Sequence, residues 1–85
     1  MHDFYLAKQI LELVLDYAKR RGLNKISRVV ISLGKIVEHN EEMKPENLRF
    51  NFNLLTKGTI AKKAKLTIKK SNKSNYWKLE GMEGR

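Results

Sequence analysis

Two segments that alternate apolar and polar residues, 27–33 and 64–70, enclose a stretch of helical character. This strand–helix–strand order restricts the fold more than any other feature of the chain. In SRVVISL, Val29, Ile31 and Leu33 share one side while Arg28, Val30 and Ser32 share the other. In 64–70, Ala64, Leu66 and Ile68 point one way and Lys65, Thr67 and Lys69 the other. Between them, Pro45-Glu46 suits a first helical turn. Leu48, Phe52 and Leu55 then fall on one stripe, with Phe50 and Leu54 nearby, and Gly58 is suited to cap the end, so 46–57 is predicted helical. Such a unit normally crosses over between parallel strands. Two strands alone make a poor sheet, and NYWKLE at 75–80 is the only candidate for a third. Gly34 is expected to end the first strand, followed by a polar loop over 35–44 into which Ile36 and Val37 could extend it.

Ahead of this unit, residues 4–20 read as a further helix. Phe4, Ala7, Leu11, Val14 and Ala18 form one stripe, and Leu6, Ile10, Leu13 and Tyr17 the next. Together they cover roughly half the circumference at 100° per residue, an arc wide enough for a sheet and a second neighbour. Asp3 is suited to cap the start, where its charge also meets the positive end of the helix dipole. Gly22-Leu23 fits a left-handed C-terminal cap. The expected fold is α/β (α+β): two helices packed on a small mixed β-sheet, in the order helix, strand, helix, strand.

At 85 residues the chain suffices for one domain with a thin core. It contains no cysteine, which excludes disulfides and thiolate metal sites. A bound partner or a homodimer would add stability. The longest apolar stretch, near 4–18, is interrupted by Lys8, Gln9, Glu12 and Asp16 and cannot span a bilayer. It has neither the basic leader nor the cleavage site of a secretory signal, so the expected location is the cytoplasm. Of the net charge of +9, eight lysines and no acid fall within residues 57–78.

The informative residues for function are Met1-His2-Asp3. Histidine is too large to favour removal of the initiating methionine, so the chain is expected to begin with an amine one residue before an imidazole. The amine and the His2 backbone nitrogen can close a five-membered chelate on a metal; that amide and the His2 Nδ1 can close a six-membered one. Three nitrogens in a plane favour Ni(II) or Cu(II) over Zn(II) or Mg(II). Taken by itself the dipeptide is weak grounds, since a surface histidine beside a helix start needs no ligand. His39, in His39-Asn40-Glu41-Glu42, is the other histidine, and it reads equally well as a solvated loop residue.

The opening MHDFYLAKQILELVL, then RVVISLGKI, then PENLRFNFNLLTKGTIAKKAKLTI resemble, in the same order, the HypA/HybF metallochaperones. Those proteins typically open with Met-His-Glu and carry a strand ending Leu-Gly-Glu-Leu. A Pro-Glu-led helix ending near Lys-Gly-Thr follows, then an alanine-rich turn into a strand. The resemblance covers residues 1–70 and implies a nickel-binding α/β domain there, with 71–85 a short basic tail or residual strand in place of the family's zinc domain. It implies a nickel-binding accessory protein, not an enzyme, that delivers Ni(II) for [NiFe]-hydrogenase or urease maturation. His2 would anchor the metal. Met1, Asp3 and His39 are the further candidates, and a maturation GTPase or the hydrogenase large subunit the partner.

The chain also departs from the family. Ser71-Asn72-Lys73-Ser74 stands where a first Cys-x-x-Cys pair would lie, so no zinc is expected. Lys35 replaces a glutamate, the loop from Gly34 to Pro45 looks about four residues longer than usual, and the turn Ala61-Lys62-Lys63-Ala64 is basic where the family tends to be acidic. A degenerate, truncated paralogue fits the same departures. The basic segment 57–78 also permits a second function, a module for nucleic acid or an acidic partner, with Lys69, Lys70 and Lys73 as contacts. Against it stands the plainer reading that these lysines solvate and protect an exposed sheet edge. No nucleic-acid motif, catalytic set or phosphate-binding glycine loop is visible.

Overall fold

The computed structural model describes residues 2–85, the Glu38 side chain excepted. Helix α1 (Asp3–Arg20) leads into β1 (Ile26–Lys35). A small hairpin of β2 (Val37–Glu38) and β3 (Glu41–Glu42) precedes helix α2 (Pro45–Leu55). The chain then returns through β4 (Lys65–Ser74) and β5 (Trp77–Gly84). The sheet order is β4-β1-β5. β4 runs parallel to β1, as the crossover predicts, and β5 runs antiparallel to it. The third strand is therefore real, but it covers 77–84 rather than 75–80. Residues 71–84 are the end of β4 and the whole of β5.

The core lies on one side of the sheet. Val29, Ile31 and Leu33 of β1 and Leu66 of β4 meet Leu6, Ala7, Ile10, Leu11, Val14 and Ala18 of α1 and Leu48 and Phe52 of α2, all buried. Trp77, Leu79 and Met82 of β5 pack against the same cluster. The expected apolar stripes hold at their centres and fail at their margins. Phe4 and Tyr17 are exposed on α1, as are Phe50 and Leu54 on α2. Each helix has only the sheet and its sister helix to pack on, so residues at the edge of the arc meet solvent.

Both helix ends differ in detail from the sequence reading. Asp3 is not the N-cap of α1: His2 holds that position, in extended conformation and without a side-chain capping bond. The helix starts one residue early because the His2 carbonyl already accepts from the Leu6 N–H at 2.9 Å. Asp3 instead takes the Phe4 N–H at 2.8 Å on Oδ1 and leaves its charge in the first turn. At the far end, Gly22 has a φ of 69°, its N–H meets the Lys19 carbonyl, and the Leu23 N–H meets that of Ala18. This is the Schellman arrangement. α2 ends at Leu55, two residues short of expectation.

Gly34 does not end β1. It lies buried inside the strand, beside the register shift that separates the Leu33 and Lys35 pairings. A β-carbon there would run into the Lys73 carbonyl oxygen, and the Gly34 N–H donates to the Tyr76 carbonyl at 2.7 Å. Glycine is required because β4 and the β4–β5 turn crowd onto this point, not because the strand must break.

Candidate metal centre

Residues 35–44, read from sequence as a polar loop, form a hairpin. His39 and Asn40 both have positive φ, 54° and 65°, which makes them the two central residues of a type I′ turn. Val37 pairs with Glu42 and Glu38 with Glu41. The Met43 N–H closes the base on the Ile36 carbonyl at 2.7 Å. The apolar Ile36, buried in the core, anchors the hairpin at the end of β1.

This hairpin arches over the start of α1. The His2 and His39 rings lie 6.0 Å apart between centroids, tilted by 40°. They line one concavity of about 240 Å3 with Asp3, Glu41, Glu42, Met43, Lys44 and Asn47. Lys44 and Asn47 belong to the start of α2, so the first turns of both helices converge here. Helix N-termini carry partial positive charge and by themselves favour anions. The Asp3, Glu41 and Glu42 carboxylates reverse that balance and make the concavity suited to a cation. Among the described residues, no three His, Cys, Asp or Glu side chains stand close enough to hold a metal by themselves. A metal here would need backbone or terminal nitrogens as well.

Three of the four sequence-derived ligands, His2, Asp3 and His39, thus share one concavity; Met1 lies outside the described residues. The lysine candidates do not share a surface. Neighbouring residues on a strand point to opposite sides: Lys69 registers with Ser32 on the uncovered face, Lys70 with Leu33 on the helix side. Lys73 sits at the strand end with its Nζ 4.6 Å from the Tyr76 ring centroid. On the uncovered face Lys69 is joined instead by Lys65, Arg28 and Lys78, brought there by the register. Ser32 Oγ donates to Glu80 beside them. Sequence reasoning missed Arg28 and Lys78 because their convergence depends on strand pairing. Trp77, in register with Leu33, packs toward the core rather than on this face.

The family's sequence model for HypA, described as hydrogenase/urease nickel incorporation metallochaperone, matches residues 1–76. The chain belongs to the HypA family. Its relatives include the hydrogenase maturation factors HypA of Thermococcus sibiricus, 33% identical over 90 residues and 98% of this chain, and of Aquifex aeolicus, 32% identical over 68 residues and 80% of the chain. The chain spans 62% and 56% of those two HypA proteins. Among solved structures, the Ni metallochaperone HypA from Helicobacter pylori superposes with a TM-score of 0.68 at 24% identity, over 84% of this chain and 58% of that one. A second HypA solution structure gives 0.64 at 19%, over 95% of this chain and 71% of the other. These superpositions show the HypA fold. Residues 71–74 are the last of β4, and β5 starts three residues later. No helix among the described residues is long and apolar enough to cross a membrane.

Proposed function

We propose that this HypA-family chain is a cytoplasmic carrier of Ni(II), taking the ion at His2 and passing it to a maturation GTPase or a [NiFe]-hydrogenase large subunit. The observation that carries the reading is the concavity at two helix starts lined by His2, His39 and the carboxylates Asp3, Glu41 and Glu42. His2 supplies Nδ1 and its backbone nitrogen, and the Met1 amine closes the planar three-nitrogen set. Nitrogen donors in a plane suit Ni(II). The work of the protein is binding, orientation and release, with no bond made or broken in a substrate.

The fourth position is where this chain differs from a bare N-terminal chelate. The His39 ring stands 6.0 Å from that of His2, so His39 would be placed to supply the fourth donor. Glu41 and Glu42 draw the cation in without having to bind it directly.

Calorimetry with nickel on the untagged chain tests the proposal. The expected result is one nickel per chain, binding that releases protons and weakens as pH falls because the nitrogen donors must be deprotonated. His2→Ala abolishes tight binding. His39→Ala weakens it about tenfold or more, the range for loss of a supporting metal contact. Nickel bound by His2→Ala as tightly as by the parent would overturn the reading.

A further inference from the structure

At the opposite end, where both helices finish, lies a second concavity of about 330 Å3, lined by Asn24, Lys25, Thr59, Ile60, Lys62 and Lys63. It accounts for the basic turn Ala61-Lys62-Lys63-Ala64, which nickel binding does not use. Ala61 and Ala64 are buried and pin the turn, and the two lysines between them are held outward. The Ala64 N–H donates to the Ala61 carbonyl at 2.9 Å and the Lys62 N–H to that of Thr59 at 3.3 Å. Thr59 Oγ1 takes the Ala61 N–H at 3.1 Å and donates to the Thr56 carbonyl at 2.7 Å. The third lysine arrives from the other wall. Lys25 is fixed by a bond from its N–H to the Arg85 carbonyl at 2.8 Å and one from the Arg85 N–H to its carbonyl at 2.9 Å. The Ile26 N–H, donating to the Ile60 carbonyl at 3.0 Å, ties the two walls together.

We propose that this concavity binds a small ligand carrying two or more phosphate groups. Three lysines line one space and no Asp or Glu side chain lines it. Lysine is a point charge without arginine's planar fork, so a ring of lysines suits an anion whose charge is spread over many oxygens more than a single carboxylate. The size agrees. At about 30 Å3 per water the space holds about ten waters, too much for a lone phosphate but fitting for a diphosphate with what it carries. Ile60, 37% exposed on the rim, offers an apolar wall to the group that bears the phosphates. A free oligophosphate and the diphosphate of a nucleotide share this chemistry. The site stands apart from the nickel reading, since its residues lie at the other end of both helices.

Calorimetry at low salt, with inorganic pyrophosphate and with ADP as probes, tests this on the full chain. The parent is expected to bind one pyrophosphate. Lys62→Glu with Lys63→Glu weakens it about tenfold or more, as expected for losing charge-assisted contacts, and Lys25→Ala weakens it from the opposite wall. Lys69→Glu with Lys78→Glu makes the same change of charge on the uncovered sheet face and leaves affinity within about threefold, the scale of screened long-range effects. ADP binding tighter than pyrophosphate identifies a nucleotide whose base side rests on Ile60; equal affinities identify an oligophosphate. Circular dichroism verifies folding, and Lys62→Ala with Lys63→Ala replaces the glutamate pair should that pair unfold. No saturable binding by the parent, or equal weakening by the two glutamate pairs, would overturn the proposal.

Discussion

Replacing Gly34 by alanine should destabilise the domain far more than adding a methyl group to a strand ordinarily does. The new β-carbon meets the Lys73 carbonyl oxygen and stands 3.0 Å from Tyr76 Cβ. The closest obstacle is backbone, so no rotamer change relieves it. Restoring an ordinary C···O separation of about 3.3 Å requires β1 and the end of β4 to part by about 1 Å. Overpacking of this kind costs about 1–3 kcal/mol. Weakening the Gly34–Tyr76 hydrogen bond, 2.7 Å in the parent, adds about 1 kcal/mol. The sum, about 2–4 kcal/mol, is a large part of the roughly 4–13 kcal/mol that a chain of this length possesses. At about 4–8 °C per kcal/mol, the midpoint of thermal unfolding should fall by about 8 °C or more, measured by circular dichroism. Gly81→Ala is the control: nothing lies within 4 Å of a β-carbon there, so its stability should stay within about 1 kcal/mol of the parent. A Gly34→Ala protein melting within about 2 °C of the parent would show that the strand end is loose and the steric reasoning wrong.

Phe52→Ala, at a fully buried position of α2, should cost about 3–5 kcal/mol in denaturant unfolding, whereas Phe50→Ala, 64% exposed, should stay within about 0.5 kcal/mol; equal effects would mean the helix is rotated from the face described. Elemental analysis of purified protein should find no stoichiometric zinc, because the 85 residues offer no thiolate; one tightly held zinc per chain would demand another ligand set. Asn40→Gly, at a φ of 65°, should be neutral or stabilising by a few tenths of a kcal/mol, while Asn40→Val should cost about 1–3 kcal/mol and lower nickel affinity with it; a valine variant with unchanged nickel affinity would separate the hairpin from the site. One residue added ahead of Met1 should weaken nickel binding strongly, read by the same calorimetry; unchanged affinity would remove the amine from the ligand set.

Periodicity reached both helices and the parallel pair because each buries one face, and burial writes its period into the residues that make it. The core positions Ile10, Val14, Val29, Ile31, Phe52 and Leu66 follow directly. The same rule explains why β5 was harder to see. Its two bends of register, opposite Ile26–Arg28 and Val30–Ile31, break the alternation of WKLEGMEG, so only its first half looks like a strand. The hairpin was hidden for another reason. Its strands have two residues each, too short to carry a period, and its turn is His-Asn in place of the usual Asn-Gly. At the concavity shared by the two histidines, His2 and Asp3 are singled out by chain position and family pattern. That His39 sits over His2 follows from the hairpin fold and no local signal announces it. The uncovered basic face depends on pairings between residues about 40 to 50 apart, which no window along the chain can contain.

The order β4-β1-β5 also bears on how the domain comes into being. The central strand is made early, while both of its neighbours come later in the chain; Ile26 pairs with Gly84 and Arg28 with Lys65. As the polypeptide is synthesised, β1 therefore waits with two open edges and an apolar face held only by α1. Nearly every strand contact closes a long loop, a topology that folds slowly. The nascent domain is at its most aggregation-prone in this interval, and the lysines of residues 57–78 emerge within it. Like charges oppose association, so these lysines would disfavour contact between unfinished chains until β5 seals the second edge.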